Sequence, residues 1–114
     1  MKGQITDQVR IRHILDAIVE VENYLQNITY DQYLVSSEKR FATIKQIEII
    51  GEACNYISAA IKQENEDIDW RSINGFRNIS IHEYFSVNFR IVWEIAQNDL
   101  PSLKHSFSRV LAKL

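Results

Sequence analysis

An apolar pattern with helical spacing runs through residues 7–27, which read DQVRIRHILDAIVEVENYLQN. Apolar side chains recur at steps of three and four positions, namely Ile11, Ile14, Leu15, Ile18, Val21 and Leu25, with Ile28 continuing the series. That spacing places them on one face of an α-helix and leaves polar residues such as Arg10 and Glu20 on the other face. The stretch predicts an amphipathic helix whose apolar face packs against further helices.

The next segment contains a start signal for a short turn and then a long helical pattern. In the tetrapeptide TYDQ, the Thr29 hydroxyl and the Gln32 side chain can each satisfy a free backbone amide of the other, as in a capping box. We expect the following helix to begin at Ser36 or Ser37 and to continue to about Asn65. Its inward-facing residues are expected to be Phe41, Ile44, Ile47, Ile50, Cys54, Ile57 and Ile61.

Gly51 lies in the middle of this second helical pattern. A glycine inside a helix costs about 1 kcal/mol relative to alanine. One interpretation is close packing, because a missing side chain lets another helix approach the backbone. The other is neutral drift at a partly exposed position.

A third helix is predicted from Trp70, because the carboxylate of Asp69 can accept hydrogen bonds from the first free amides of a helix. This helix would carry Ile73 and Phe76 and continue into the polar stretch FRNISIHEYF, residues 76–85. The residues at 86–88 interrupt the helical pattern.

Two more helices are expected in the last quarter of the chain. We expect Asn88 to cap a helix that carries Phe89, Val92, Trp93 and Ala96. Asp99 is predicted to cap a final helix with Pro101 in its first turn, where proline loses no amide partner. The apolar stripe of this last helix consists of Leu103, Phe107, Val110, Leu111 and Leu114.

The composition favours a helical fold. The 114 residues include three glycines and one proline, and few helix breakers over this length favour long helices. No strand-like alternation of apolar and polar residues competes with the helical patterns. We therefore predict an all-α bundle of four or five helices that forms a single domain over residues 1–114.

Charge, cysteine content and hydropathy exclude several classes of protein. The formal net charge is −2, so the protein as a whole does not attract nucleic acid, and RNA binding would need a local basic patch. The single cysteine, Cys54, cannot form an internal disulfide, and no Cys/His grouping has the spacing of a zinc site. No apolar run approaches the roughly 20 residues of a membrane span, and the N-terminus lacks the apolar core of a signal peptide. We expect a cytoplasmic protein without a metal or cofactor.

The polar stretch FRNISIHEYF contains groups suited to RNA cleavage without a metal. The 2′-hydroxyl of RNA attacks the adjacent phosphate when a base removes its proton and a cation stabilises the negative charge on the phosphoryl oxygens. His82 titrates close to neutral pH, and Arg77 offers a planar fork of donors to phosphate oxygens. Asn78 can orient either group or bind the phosphate.

The residues alone leave other interpretations of this stretch open. On a regular α-helix, Asn78 and His82 share one face, whereas Arg77 and Tyr84 share a neighbouring face. An uninterrupted helix would thus separate His82 from Tyr84, and the stretch could equally hold an ordinary salt bridge to Glu83 with a capping histidine. The other histidines, His13 and His105, are expected on the surface.

Beyond spacing, RNISIHEYF resembles the RNxxxHEYF signature of HEPN-domain proteins, and specifically of their HepT-like toxin branch. Four other segments are similar to that branch in the same order, so the resemblance spans almost the whole chain. They are RIRHILDAI at 10–18, EIIGEACNYIS at 48–58, IDWRSINGFRN at 68–78 and VWEIAQNDLPSLK at 92–104.

The resemblance implies a fold, an activity and a partner. HepT-like proteins are compact all-α homodimers with two copies of the motif at the dimer cleft, and they are metal-independent ribonuclease toxins of toxin–antitoxin pairs. The resemblance implies that Arg77 and His82 are the catalytic pair and that Asn78 supports them. The usual partner is a small nucleotidyltransferase antitoxin of the MntA type, which silences the toxin by transferring AMP from ATP to the motif tyrosine, here Tyr84.

A dimer could offset the acidic net charge. It would bring Arg71, Arg77 and Arg90 of both copies toward one cleft and create a local positive field for RNA. The alternatives are a non-catalytic HEPN subunit that binds a nucleotidyltransferase partner or a nucleotide, and a plain structural dimer. Cleavage of RNA separates the ribonuclease hypothesis from the non-catalytic subunit and from the structural dimer.

Overall fold

The structure, a computed structural model, describes residues 6–79 and 87–114. Over these ranges the chain is helical and contains no β-strand, which confirms the predicted all-α class. The helices in chain order are α1 (Asp7–Leu25), α2 (Tyr30–Leu34), α3 (Ser37–Asn55), α4 (Ala59–Glu64), α5 (Trp70–Asn74), a 3₁₀-helix (Gly75–Asn78), α6 (Phe89–Glu94), a π-helical turn (Ile95–Asp99) and α7 (Leu100–Ala112).

Helix α1 packs against both α3 and α7. Its predicted apolar stripe is confirmed, because Ile11, Ile14 and Ile18 are fully buried. The helix starts where the Thr6 hydroxyl accepts a hydrogen bond from the Val9 amide at 3.2 Å. It ends at Leu25, two residues before the predicted boundary, and Asn27 then adopts a left-handed conformation with φ 60°.

A single apolar cluster joins the helices, and most of its members come from the predicted stripes. Helix α5 and the 3₁₀-helix contribute to it from one side of α3, and α2 and α6 pack against α3 as well. The largest fully buried side chains are Tyr33, Phe107, Ile11, Ile14, Ile18, Ile47, Ile50, Ile73, Leu100, Val21, Val92 and Thr43.

The predicted single helix over 37–65 is wrong, because α3 ends at Asn55 and α4 begins at Ala59. Ser58 starts α4 as its N-cap, and its hydroxyl accepts a hydrogen bond from the Ile61 amide. The Ser58 amide itself donates to a carboxylate oxygen of Asp7 at 2.9 Å. These bonds replace the helical bonds that a continuous helix would make. Asp7 lies 51 positions from Ser58, so the local sequence pattern could not identify it as a partner.

Phe41 was predicted to face inward, and this is also wrong. Its side chain is 43% exposed, whereas the other six predicted inward residues are buried. The Phe41 ring packs edge-on against the ring of Phe89, with 5.9 Å between centroids. Its partner is thus the surface side of α6 rather than the core.

The predicted cap at Asp99 is wrong as well. Asp99 has helical backbone angles and makes no capping hydrogen bond, because α6 continues through the π-helical turn directly into α7. No new helix start therefore needs a cap. Pro101 does lie in the first turn of α7, as predicted. π-helical turns are rare and occur mostly as single turns inside α-helices, as this one does.

The third predicted helix starts as expected but changes its geometry. The Asp69 carboxylate accepts a hydrogen bond from the Ser72 amide at 3.1 Å, which confirms the predicted cap. Helix α5 then extends only to Asn74, and the chain tightens into a 3₁₀-helix at Gly75, a poor α-helix former. The predicted continuation of this helix beyond residue 79 lies outside the described residues.

The 3₁₀-helix lies close to the backbone of α3 at Gly51. A Cβ placed on Gly51 would lie 2.5 Å from the backbone nitrogen of Arg77 and 3.0 Å from Cβ of Phe76. It would also lie 3.1 Å from the carbonyl oxygen of Ile73. The close-packing interpretation of Gly51 is confirmed, and the glycine sets where the chain carries Arg77.

A second contact, between Tyr33 and Phe89, fixes the chain at the start of α6. The predicted capping box at Thr29 is confirmed, and it begins the short helix α2. From that helix the fully buried Tyr33 donates its hydroxyl hydrogen to the carbonyl oxygen of Phe89 at 2.8 Å. The predicted cap at Asn88 is confirmed too, because its side chain accepts hydrogen bonds from the amides of Arg90 and Ile91.

Within the described ranges, 6–79 and 87–114, no helix is long and apolar enough to cross a bilayer.

We predict that Gly51→Ala lowers the free energy of unfolding. The new methyl group would overlap a backbone nitrogen, which cannot rotate away, and overpacking of this kind costs about 1–3 kcal/mol. The loss exceeds what alanine's helix propensity returns. Urea denaturation followed by circular dichroism measures the change.

Gly75→Ala is the matched control, because a Cβ at Gly75 meets nothing within 4 Å. We expect this variant to keep or slightly raise the stability of the wild type. Equal stability of the two variants would contradict the close approach at Gly51.

We predict that Tyr33→Phe destabilises the fold by about 1–2 kcal/mol, because it leaves the Phe89 carbonyl oxygen without its hydroxyl donor. Burial raises the pKa of Tyr33 to about 12. Since the unfolded state loses its tyrosine proton first, the contribution of Tyr33 to stability should decline between about pH 10 and pH 12.

Chemical denaturation of wild type and Tyr33→Phe at several pH values measures both effects. Tyr56→Phe is the control, since Tyr56 is exposed. A stability difference that is absent at neutral pH, or that grows above pH 10, would refute this account of Tyr33.

Candidate active site

Arg77 is the one member of the predicted catalytic pair that falls in the described residues. It lies in the 3₁₀-helix directly after α5, and its side chain is 37% exposed. Phe76, the residue before Arg77 in this turn, is buried in the core. The structure thus fixes the backbone of Arg77 and leaves its guanidinium accessible to solvent.

The guanidinium of Arg77 has an acidic neighbour on α3. The Nε atom of Arg77 lies 3.6 Å from Oε2 of Glu52, the residue next to Gly51. The Glu52 side chain is 52% exposed, so the pair lies at the surface. The sequence suggests Glu83 as a salt-bridge partner within the motif stretch. It does not point to Glu52, because 25 positions separate Glu52 from Arg77.

Asn78 follows Arg77 in the same 3₁₀-helix and is exposed. A 3₁₀-helix has about three residues per turn, so the α-helical spacing assumed for this stretch does not apply at Arg77 and Asn78. His82 and Tyr84 lie outside the described residues. Their roles, and the predicted sharing of faces with Asn78 and Arg77, remain predictions.

The two other histidines lie far along the chain from the motif, on α1 and α7. Both His13 and His105 are exposed, which confirms that they are surface residues. Arg71 and Arg90, the further cations expected at an RNA-binding cleft, are exposed as well. Arg90 forms an ion pair with Glu94 one turn along α6, at 3.3 Å.

A cationic and aromatic cluster at the start of α3 was not foreseen. The Cζ atom of Arg40 lies 4.5 Å from the ring centroid of Phe89 and 5.5 Å from that of Phe41. The cluster holds the start of α6 against α3, next to the bond from Tyr33. Only the fold brings these residues together, since Arg40 and Phe89 are 49 positions apart.

A cavity of about 370 Å³ opens beside the 3₁₀-helix, between α5 and α7. Its polar wall includes the carboxylates of Asp67, Asp69 and Asp99 and several serine hydroxyls. Burial raises the pKa of Asp99. Because none of the described residues that line it is basic, this part of the cavity wall is poorly suited to bind the phosphates of RNA.

The described residues offer no group of three or more His, Cys, Asp or Glu side chains that could hold a metal ion. Cys54 is a buried free cysteine on α3. Burial raises the pKa of its thiol to about 11, so the thiol stays protonated and unreactive near neutral pH. Among the described residues, neither a metal cluster nor the Cys54 thiol thus offers another reactive centre, and Arg77 with Asn78 stays the predicted site.

Comparison with known proteins gives a family. The family model described as "Ribonuclease HepT-like" matches residues 14–110. The chain is 34% identical over 100 residues to "Probable ribonuclease HepT" of Thermococcus cleftensis. The aligned residues cover 88% of this chain and 91% of that protein. It is 33% identical over 91 residues to "Putative RNase MJ1380" of Methanocaldococcus jannaschii, which covers 80% of this chain and 84% of that protein.

No solved structure was found to match the chain. The family match includes α3, the 3₁₀-helix that carries Arg77, and most of α7. The family model and the similar proteins agree on the same assignment. The chain belongs to the ribonuclease HepT-like family of the HEPN superfamily.

Proposed function

We propose that this chain is the toxin of a toxin–antitoxin pair and that it cleaves RNA without a metal ion. The observation that carries the proposal is membership in the ribonuclease HepT-like family together with the motif RNISIHEYF. The position of Arg77 supports it, because a fixed backbone and an accessible guanidinium are what a phosphate-binding group needs. We expect the protein to act in the cytoplasm.

In the proposed reaction, Arg77 and His82 divide the work between charge and proton transfer. His82 transfers the proton that must leave the attacking 2′-hydroxyl or reach the departing oxygen. Arg77 donates hydrogen bonds to the phosphoryl oxygens, whose negative charge increases as the new bond to phosphorus forms. Asn78, exposed beside Arg77, binds the phosphate or orients one of the pair.

The active form in this proposal is a homodimer with both motifs at a shared cleft. The chain alone has a formal net charge of −2, which does not favour RNA. Two copies of Arg71, Arg77 and Arg90 directed toward one cleft would supply a local positive field. The exposure of all three arginines is compatible with this arrangement.

The proposed regulation acts on Tyr84, two residues after His82. A small nucleotidyltransferase of the MntA type would transfer AMP from ATP to the Tyr84 hydroxyl, with release of pyrophosphate. Each added nucleotide places a negative phosphate and considerable bulk close in sequence to Arg77 and His82. Repulsion and steric blocking of the RNA phosphate follow from that charge.

We predict that the purified, unmodified protein degrades RNA in the presence of EDTA. Arg77→Ala and His82→Ala should each lower the rate at least about 100-fold, as loss of a general acid–base or a charge-stabilising group does. Cleavage of a fluorescent single-stranded RNA measures the rate. His13→Ala is the matched control, because His13 is exposed on α1.

Equal cleavage by wild type and both variants would reject the proposal, since the activity would then come from elsewhere. Complete absence of cleavage by the wild type would favour a non-catalytic subunit.

We predict that co-expression with an MntA-type nucleotidyltransferase adds AMP to the wild-type chain and not to Tyr84→Phe. Intact mass and peptide mapping measure the modification. Tyr84→Phe should keep its ribonuclease activity and arrest growth despite the antitoxin, because the acceptor hydroxyl is missing. Tyr30→Phe is the control, and modification that persists in Tyr84→Phe would locate the acceptor at another residue.

A further inference from the structure

Two consecutive residues of α3 contact Arg77, and they contact different parts of it. Gly51 admits the backbone, since a Cβ there would lie only 2.5 Å from the Arg77 nitrogen. Glu52 reaches the side chain, with Oε2 at 3.6 Å from Nε. One turn of α3 thus contacts both the backbone and the guanidinium of Arg77.

The Glu52 contact is an ion pair without a short hydrogen bond. At 3.6 Å the two atoms are farther apart than the 2.7–3.2 Å of a good N–H···O bond. Such a pair, half exposed on both sides, contributes little to folding stability. Its expected effect is on orientation, because a carboxylate 3.6 Å from Nε favours some conformations of the arginine side chain over others.

We infer that Glu52 is a positioning residue that orients the Arg77 guanidinium for the RNA phosphate. The inference rests on the proposed function and adds a residue that the motif does not contain. Glu52 touches neither the substrate nor the transferred proton. It acts through Arg77, whose planar fork must face the phosphoryl oxygens at the moment when their charge increases.

If Glu52 shielded Arg77 from RNA, removal of its carboxylate would change the cleavage rate in the opposite direction. If the carboxylate merely competed with RNA for Arg77, its removal would strengthen substrate binding and speed up cleavage. If it positions Arg77, its removal lowers kcat, because the guanidinium spends less time in the productive orientation. The loss of one negative charge near a polyanionic substrate should leave KM unchanged or lower.

The test compares Glu52→Gln with wild type in EDTA, on the same fluorescent RNA. We expect kcat to fall on the order of 10- to 100-fold, without an increase in KM. Glu52→Asp keeps the charge at a greater distance and should retain an intermediate kcat. Glu20→Gln removes the same charge from an exposed position on α1 and should match wild type.

A double-mutant cycle tests whether the effect passes through Arg77. In the Arg77→Lys background the planar fork is gone, so Glu52→Gln should change kcat much less than in wild type. Melting temperatures of all variants should stay close to that of wild type, which excludes unfolding as the cause.

The inference is overturned if Glu52→Gln keeps wild-type kcat, if it cleaves faster, or if its effect is undiminished with Arg77→Lys. A loss of the acidic limb of the pH–rate profile in Glu52→Gln would also overturn it, because Glu52 would then transfer a proton itself. Failure of the proposed function is distinguishable, since the wild type would then cleave no RNA at all.

Discussion

The contact between Gly51 and the backbone around Arg77 is the constraint on which the site depends. A helix normally keeps other backbones at a distance through its side chains, and here one side chain is absent. The 3₁₀-helix can therefore lie directly on α3, with Phe76 in the core and Arg77 at the rim. The crossing gives Arg77 a fixed backbone and leaves its guanidinium accessible, which the proposed role in phosphate binding requires.

Contacts from two different parts of the fold hold the chain on either side of the motif. Before the motif, the chain is held on α3 by Gly51. After it, Phe89 is held by the hydroxyl of Tyr33 and by the guanidinium of Arg40 stacked on its ring. All of these holding residues come from the first half of the chain, so the segments that flank residues 80–86 are held only once the two halves of the chain have packed together.

Local features of this fold follow from the sequence, and long-range ones do not. The α1 stripe and the caps at Thr29 and Asn88 depend on residues within one or two turns, so periodicity and capping chemistry identify them. The break at Ser58 depends on Asp7, and the neighbour of Arg77 depends on how α5 crosses α3. Arg77 itself was found by its motif, while its orientation could be seen only in three dimensions.

The π-helical turn at Ile95–Asp99 determines which way the end of the bundle faces. A wider turn rotates every later side chain about the helix axis relative to a regular α-helix. The buried residues Val92, Ala96 and Leu100, spaced four apart, thereby stay in phase along one seam, and Phe107 continues it on α7. One uninterrupted helical segment thus contacts α3 with its first part and α1 with its last, and so bridges the two longest helices of the described chain.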